Sequence, residues 1–159
     1  MRSDGMYAFE ITLHARPAGA RPGGIYADAT GRWPTLAVLQ EALAEPLAVE
    51  FDAALAALTA LGRLYAEPDG SFVWTSPGAG PRWQVDGNAF EKGGRVLLVD
   101  LKGSCPAAEF DRLLGAFGWP AQQVVMQLIR AAVFLEEQAF RGHALARGLA
   151  GDGETLRPG

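Results

Sequence analysis

The apolar run at residues 96–99, Val-Leu-Leu-Val, is the feature that most limits how this chain can fold. The run follows a turn signal at 91–94, Glu-Lys-Gly-Gly, and leads through 103–106, Gly-Ser-Cys-Pro, into a helical pattern. A short stretch rich in Val and Leu between such breakers is typical of a strand buried on both faces. Neighbouring elements must therefore cover it on both sides.

Two consecutive hairpins are predicted around this run. Segments 63–66 and 71–75 flank a Pro-Asp-Gly turn, in which Pro fixes φ and Gly supplies a positive φ. Segment 82–91 then pairs across Gly-Gly with segment 95–102. A further strand is predicted over 7–14, where apolar and polar residues alternate with the period of two that a half-buried strand requires.

Helical patterns occupy much of the remaining chain. Segments 35–45, 53–61, 106–117 and 135–147 each place apolar residues at helical spacing, with capping residues or breakers near their ends. Segment 122–132 is ambiguous, since its apolar positions suit a helix face while its dense Val-Val-Met-Gln-Leu-Ile run also suits a strand. We favour the helix.

These elements predict an α+β fold. We expect an antiparallel sheet of about four or five strands, built from consecutive hairpins and packed against three or four helices. The length suits a single globular domain over residues 1–148, followed by a disordered tail over residues 149–159.

The composition excludes several classes of function. The formal net charge of −4 opposes binding to a phosphate backbone, so we expect no nucleic-acid partner. No stretch is apolar enough to predict a signal peptide or a membrane span, so we expect a cytoplasmic protein without a membrane partner. The single cysteine excludes an intrachain disulfide and a Cys-rich zinc site, and neither histidine has a ligand at metal-binding spacing. We therefore predict no metal and no cofactor.

Cys105 is the one residue that suggests nucleophilic chemistry. It lies between a predicted strand and a predicted helix, where the helix dipole would lower the pKa of a thiol. The Arg that a phosphatase loop places six residues after its cysteine is replaced here by Asp111. We interpret Cys105 as a small core residue under a helix N-terminus.

A set of polar residues lies on the second predicted hairpin. Side chains two apart in a strand share a face, so Asp100 and Lys102 are expected to face Asp86 or Asn88 across the ladder. Such a set suits an ordinary solvated face with cross-strand pairs. If buried, it would suit acid–base work in a pocket between sheet and helices, with Cys105 at its edge.

Large aromatic residues lie at or near predicted loop junctions. Trp and Tyr are favoured contact residues in protein interfaces, although here they also suit the sealing of sheet edges and loop ends. The candidate binding residues are Trp33, Trp74, Trp83, Trp119 and Tyr26.

No catalytic constellation and no family motif emerges from the sequence. The leading hypothesis is a small non-enzymatic module that binds another protein or peptide, such as an adaptor, a specialised chaperone or a toxin-neutralising partner. Its surface would be a sheet face or edge rimmed by Trp74 and Trp83, and a homodimer is compatible with this hypothesis. The alternative is a small-molecule-binding protein or enzyme that uses the polar pocket described above.

Overall fold

A computed structural model describes residues 5–150 of the chain. It contains three α-helices and a short 3₁₀ helix: α1 (Phe51–Thr59), α2 (Ala107–Ala116), α3 (Glu137–Leu149) and Gln40–Ala44. Its strands are β1 (Met6–Ala15), β2 (Arg21–Asp28), β3 (Gly31–Ala37), β4 (Leu64–Ala66), β5 (Ser71–Thr75), β6 (Gln84–Lys92), β7 (Arg95–Pro106), β8 (Val124–Leu128) and β9 (Val133–Glu136). The tail predicted from residue 149 lies, beyond Ala150, outside the described residues.

All nine strands form one antiparallel sheet in the order β2-β3-β9-β8-β1-β7-β6-β5-β4. The predicted sheet of four or five strands is therefore wrong in size, although the α+β class with an antiparallel sheet is correct. The predicted hairpins supply β4 to β7, and the predicted first strand supplies β1. The missing strands are β2, β3, β8 and β9, which extend the sheet on the other side of β1.

The four missing strands give weak or ambiguous local signals. The segment of β2 begins with Arg-Pro-Gly-Gly, which is typical of a loop, but an edge strand tolerates Pro and Gly because one side of its backbone is unpaired. The segment of β3 has one buried residue, Leu36, and therefore carries little periodic signal. In β8, residues on both faces are buried, so periodicity cannot separate strand from helix and the prediction of a helix over 122–132 is wrong.

The apolar run at 96–99 is confirmed as the start of β7, a central strand, but it is not buried on both faces, because Leu97 and Leu98 are only half-buried. Over its length β7 pairs with β1 on one side and β6 on the other, with Cys105 opposite Tyr7 and Leu98 opposite His14. Near its start, β7 carries an extra residue, since the register with β6 shifts between Phe90 and Glu91. This bulge increases the local twist of the strand pair.

The helices pack on one face of this sheet. Tyr7, Phe9, Ile11 and Leu13 alternate along β1 and belong to the same core cluster as the buried residues of all three helices. Phe110 of α2 and Phe140 of α3 contact each other and the ring of Phe9, with centroids 5.2 to 6.3 Å apart. Aromatic edge contacts therefore fix α2 and α3 over β1.

Within residues 5–150, no helix has the length and apolar character needed to cross a membrane.

Candidate functional site

The candidate site is the face of the sheet opposite the helices, which we call the outer face. Directly opposed residues of antiparallel strands point to the same side, so the strand register assigns each side chain to a face. The outer face includes Ile25 of β2, Leu36 of β3, Phe134 of β9, Val125 and Gln127 of β8, Thr12 and His14 of β1, Leu98, Asp100 and Lys102 of β7, Asp86, Asn88 and Phe90 of β6, and Tyr65 of β4. None of the three α-helices packs against it.

Several large apolar side chains lie on this face. Among the described residues, six large hydrophobic side chains are exposed, and Phe90, Tyr65 and Ile25 of these have outer-face positions in β6, β4 and β2. Leu98 and Phe134 are half-buried between them. A solvated face of an antiparallel sheet is ordinarily polar, so these side chains make the face a candidate contact surface, with Ile25 and Tyr65 on the strands at its two opposite edges.

The polar residues of the second hairpin form the centre of the outer face. The expected cross-strand pairing is confirmed, because Asp86 lies opposite Lys102 and Asn88 lies opposite Asp100. Thr12 donates a hydrogen bond from Oγ1 to Oδ1 of Asp100 at 2.8 Å. Asp86 and Lys102 are exposed to solvent, as in a solvated strip rather than a buried acid–base site.

Two ion pairs lie beside this strip. Glu10 of β1 pairs with Arg130 at 3.3 Å, and Arg16 pairs with Glu136 of β9 at 2.6 Å. Both pairs are partly exposed, so each adds little to stability. They place charges of both signs next to the strip, with Glu10 directly opposite Lys102.

His14 is the buried residue at the middle of this face. Its neighbours across the strands are Leu98 and Val125, and its ring centroid lies 5.8 Å from that of Phe134. The side chain is nearly inaccessible, and neither ring nitrogen has a hydrogen-bond partner among the described residues. Burial lowers the pKa of His14, and the nearby Asp100 carboxylate only partly offsets this effect.

Cys105 lies on the helix face of β7, away from the polar strip. The thiol is fully buried in the main core cluster, which agrees with its interpretation as a small core residue. Burial raises the pKa of Cys105, and the carboxylates of Glu109 and Asp111 act in the same direction. The structure therefore does not bring Cys105 together with the four polar residues that would have formed a pocket with it.

The aromatic candidates Trp74 and Trp83 lie in the core. Trp74 is fully buried, and its ring meets that of Trp83 edge to face with centroids 4.9 Å apart. The indole of Trp74 donates to the carbonyl of Gly62 at 3.1 Å. These two side chains pack in the core between β5, β6 and the helices. Neither ring is accessible to a partner.

Trp119 lies apart from the other candidates, between α2 and β8. Its indole donates to Glu137 at 2.8 Å, and the guanidinium of Arg141 lies over its ring, 5.2 Å from the centroid. Arg141 also pairs with Glu137 at 2.9 Å and with Asp111 at 2.7 Å. The half-buried Trp119 thus covers a charge network that joins α2 to α3.

Tyr26 and Trp33 are the two candidates that the structure does bring together. Both extend from the β2–β3 hairpin towards α3, where their ring centroids lie 6.2 and 5.5 Å from that of His143. Nε2 of His143 lies 2.8 Å from Oδ2 of Asp28, whose other oxygen accepts two hydrogen bonds from Thr30. This cluster docks the hairpin on α3.

The carboxylate of Asp28 is expected to make the protein acid-sensitive. Burial would raise its pKa, but hydrogen bonds from Thr30 and His143 outweigh burial and hold the pKa well below the usual value of 3.8. Since the folded state holds the proton less tightly than the unfolded state, this stabilisation is complete above about pH 5 and is progressively lost as the pH falls below about 4. In chemical denaturation at pH 3 and pH 7, Asp28→Asn should reduce the pH-dependent change in unfolding free energy by about 1 kcal/mol. An unchanged pH dependence would contradict this role for Asp28.

Within residues 5–150, no group of three or more His, Cys, Asp or Glu side chains is arranged to hold a metal ion.

Phe90, Leu98, Phe134 and His14 are the outer-face residues that sequence reasoning does not assign to the site. One signal for them is present, because Phe90 follows Asp86 and Asn88 at period two and therefore shares their face. Phe134 carries no such signal, since the strand that contains it is not predicted.

Comparisons with protein-family models, with curated proteins and with solved structures found no match to this chain.

Proposed function

We propose that the chain is a non-enzymatic module that binds another folded protein through the outer face of its sheet. The observation that carries this proposal is that Phe90, Tyr65 and Ile25, half of the exposed large hydrophobic side chains of residues 5–150, lie on the sheet face that none of the described α-helices covers. The charges of both signs next to the polar strip would set the register of a partner, as polar groups do at the rim of an interface.

The size of the outer face favours a folded partner over a short peptide. Nine strands at the usual spacing span about 40 Å, and five residues along each strand span about 17 Å. The area of the whole face, which includes the buried positions of His14 and Val125, is at most comparable to the roughly 800 Å² that each partner contributes to a standard interface. A net charge of −4 favours a protein over a nucleic acid.

The sheet edges are poor alternatives to the face. β2 carries Pro22 and a register irregularity between Pro22 and Ile25, both of which obstruct the addition of another strand. At the opposite edge, β4 has three residues and is followed by Glu67-Pro68. Strand addition would find little exposed backbone at either edge.

The module is proposed to work in the cytoplasm, since a single buried cysteine suits a reducing compartment. A second copy of the chain is one form that the partner can take. The molecular mass in solution, measured by light scattering, distinguishes a homodimer from a monomer that binds a different protein.

The binding surface is tested by comparing capture by the wild-type protein with capture by outer-face variants. Phe90→Asp removes the most exposed phenylalanine of this face and adds a charge, so it should reduce capture of the partner at least tenfold in a quantitative pull-down from the native host. Leu149→Ser is the matched control, because Leu149 is exposed at the end of α3, away from the sheet face. If Phe90→Asp retains every captured protein, or if Leu149→Ser loses them equally, the outer face is not the binding surface.

A further inference from the structure

The β2–β3 hairpin is attached to the rest of the sheet by a single registered pair. Leu36 of β3 lies opposite Phe134 of β9, and Leu36 is the one buried residue of the two strands. By contrast, β1 and β7 are in register from Met6 to His14. Elements with few buried apolar contacts open at lower free energy than the global transition.

On the outer face, the pair formed by Leu36 and Phe134 lies next to His14. Phe134 pairs through its backbone with Leu36 on one side, and its ring centroid lies 5.8 Å from that of His14 on the other. His14 is 5% exposed, and among the described residues neither of its nitrogens has a hydrogen-bond partner. A proton on this ring would create a buried cation without a bonded counter-charge, which is unfavourable.

The charged groups around His14 are committed to other contacts. Asp100 on β7 accepts a hydrogen bond from Thr12, and Arg16, which follows β1, pairs with Glu136 of β9. The strand β8 presents the uncharged Val125 and Gln127 on this face. Asp100 is the carboxylate that acts on the imidazole through space, and its attraction is smaller than the effect of burial.

We propose that the β2–β3 hairpin is a flap that opens by separating Leu36 from Phe134, and that protonation of His14 favours the open form. Separation would uncover Phe134 and admit water to the imidazole, so the imidazolium would be hydrated in the open state and unpaired in the closed state. A ligand that favours one of two states shifts the population towards it, and here the ligand is a proton. The flap does not depend on whether the outer face binds a partner.

A second contact on the opposite face acts as a clamp. Asp28 of the hairpin bonds to His143 of α3, and the ring of Trp33 lies directly on Gly142. The contact between His143 and Asp28 opposes opening. The variant His143→Gln removes this opposing contribution while leaving His14 in place.

Hydrogen exchange measured by mass spectrometry tests the flap. At pH 7.5 and pH 5.5, with rates corrected for intrinsic exchange, the opening equilibrium of amides at the junction of β3 and β9, residues 35–37 and 133–135, should rise up to about tenfold at the lower pH. This limit follows from an ordinary histidine pKa of 6.5 in the open state and a neutral imidazole in the closed state. Amides of β1 and β7 should show a smaller change.

The variants decide whether His14 is the sensor. His14→Phe and the smaller change His14→Gln should each abolish the increase of the opening equilibrium at pH 5.5. His143→Gln should raise the opening equilibrium at both pH values and retain the increase at pH 5.5. The proposal is overturned if the wild-type ratio stays near one, if both His14 variants keep the rise, or if the hairpin exchanges only together with β1 and β7.

Discussion

Replacing Phe9 with alanine is expected to lower the free energy of unfolding by about 3–5 kcal/mol, the range typical of truncating a buried phenylalanine. Phe9 is 1% exposed and lies in the middle of β1. Its ring contacts Phe110 at 5.2 Å and Phe140 at 6.3 Å between centroids. The substitution therefore leaves a cavity where the sheet, α2 and α3 meet.

Phe90→Ala is the matched control for this prediction. Phe90 has the same side chain in the same sheet, but it is 41% exposed on the outer face. Its truncation should change the free energy of unfolding by less than about 1 kcal/mol, since much of its surface is already in water. Urea denaturation of both variants measures the difference. Similar losses for the two variants would mean that the outer face is covered in solution or that Phe9 is not a core residue.

The parts of this fold that the sequence predicts are those where local pattern and tertiary environment agree. β1 alternates because one face is in the core and the other is largely polar, and the Pro-Asp-Gly turn fixes the β4–β5 hairpin without reference to the rest of the chain. The polar strip is also predictable, because once β6 and β7 are paired the period of two sets its face.

The remaining strands depend on partners that are distant in sequence. β3 reaches the sheet through β9, with Leu36 opposite Phe134, and neither strand is strongly patterned. A segment with weak β-propensity takes the conformation that its neighbours in the fold stabilise. The local sequence therefore does not predict that conformation. For the same reason, the sequence does not predict that Phe134 lies beside His14 or that His14 is buried. Both features arise only when β1, β8 and β9 are adjacent in the sheet.

The placement of the tryptophans shows a different limit. Ser-Phe-Val-Trp-Thr in β5 alternates, so Phe72 and Trp74 are predictable as residues of one face. What the alternation cannot reveal is that this face is the one that the helices cover. Trp74 therefore lies in the core, and the proposed contact surface depends on Phe90 and its neighbours instead.

The second large effect is expected for Gly103→Ala, which should destabilise the protein by about 3–5 kcal/mol through two separate causes. Gly103 lies in β7 between Phe9 of β1 and Val85 of β6, and its φ of 139° falls in a region that residues with a Cβ rarely adopt. A Cβ at this position would also collide with the backbone carbonyl of Gln84. Because the obstacle is main chain in the adjacent strand, relief requires the two central strands to separate.

Gly115→Ala is the matched control, since it introduces the same methyl group where neither cause applies. Gly115 is exposed inside α2, and a Cβ added there would meet no atom within 4 Å apart from its own helix and chain neighbours. Alanine lowers the entropy of the unfolded chain and suits a helix, so this variant should gain up to about 1 kcal/mol. Thermal and urea denaturation of the pair should give shifts of opposite sign. If Gly103→Ala were neutral, β6 and β7 could not be paired as closely as the structure requires, and the register that assigns Asp86, Asn88 and Phe90 to the outer face would be wrong.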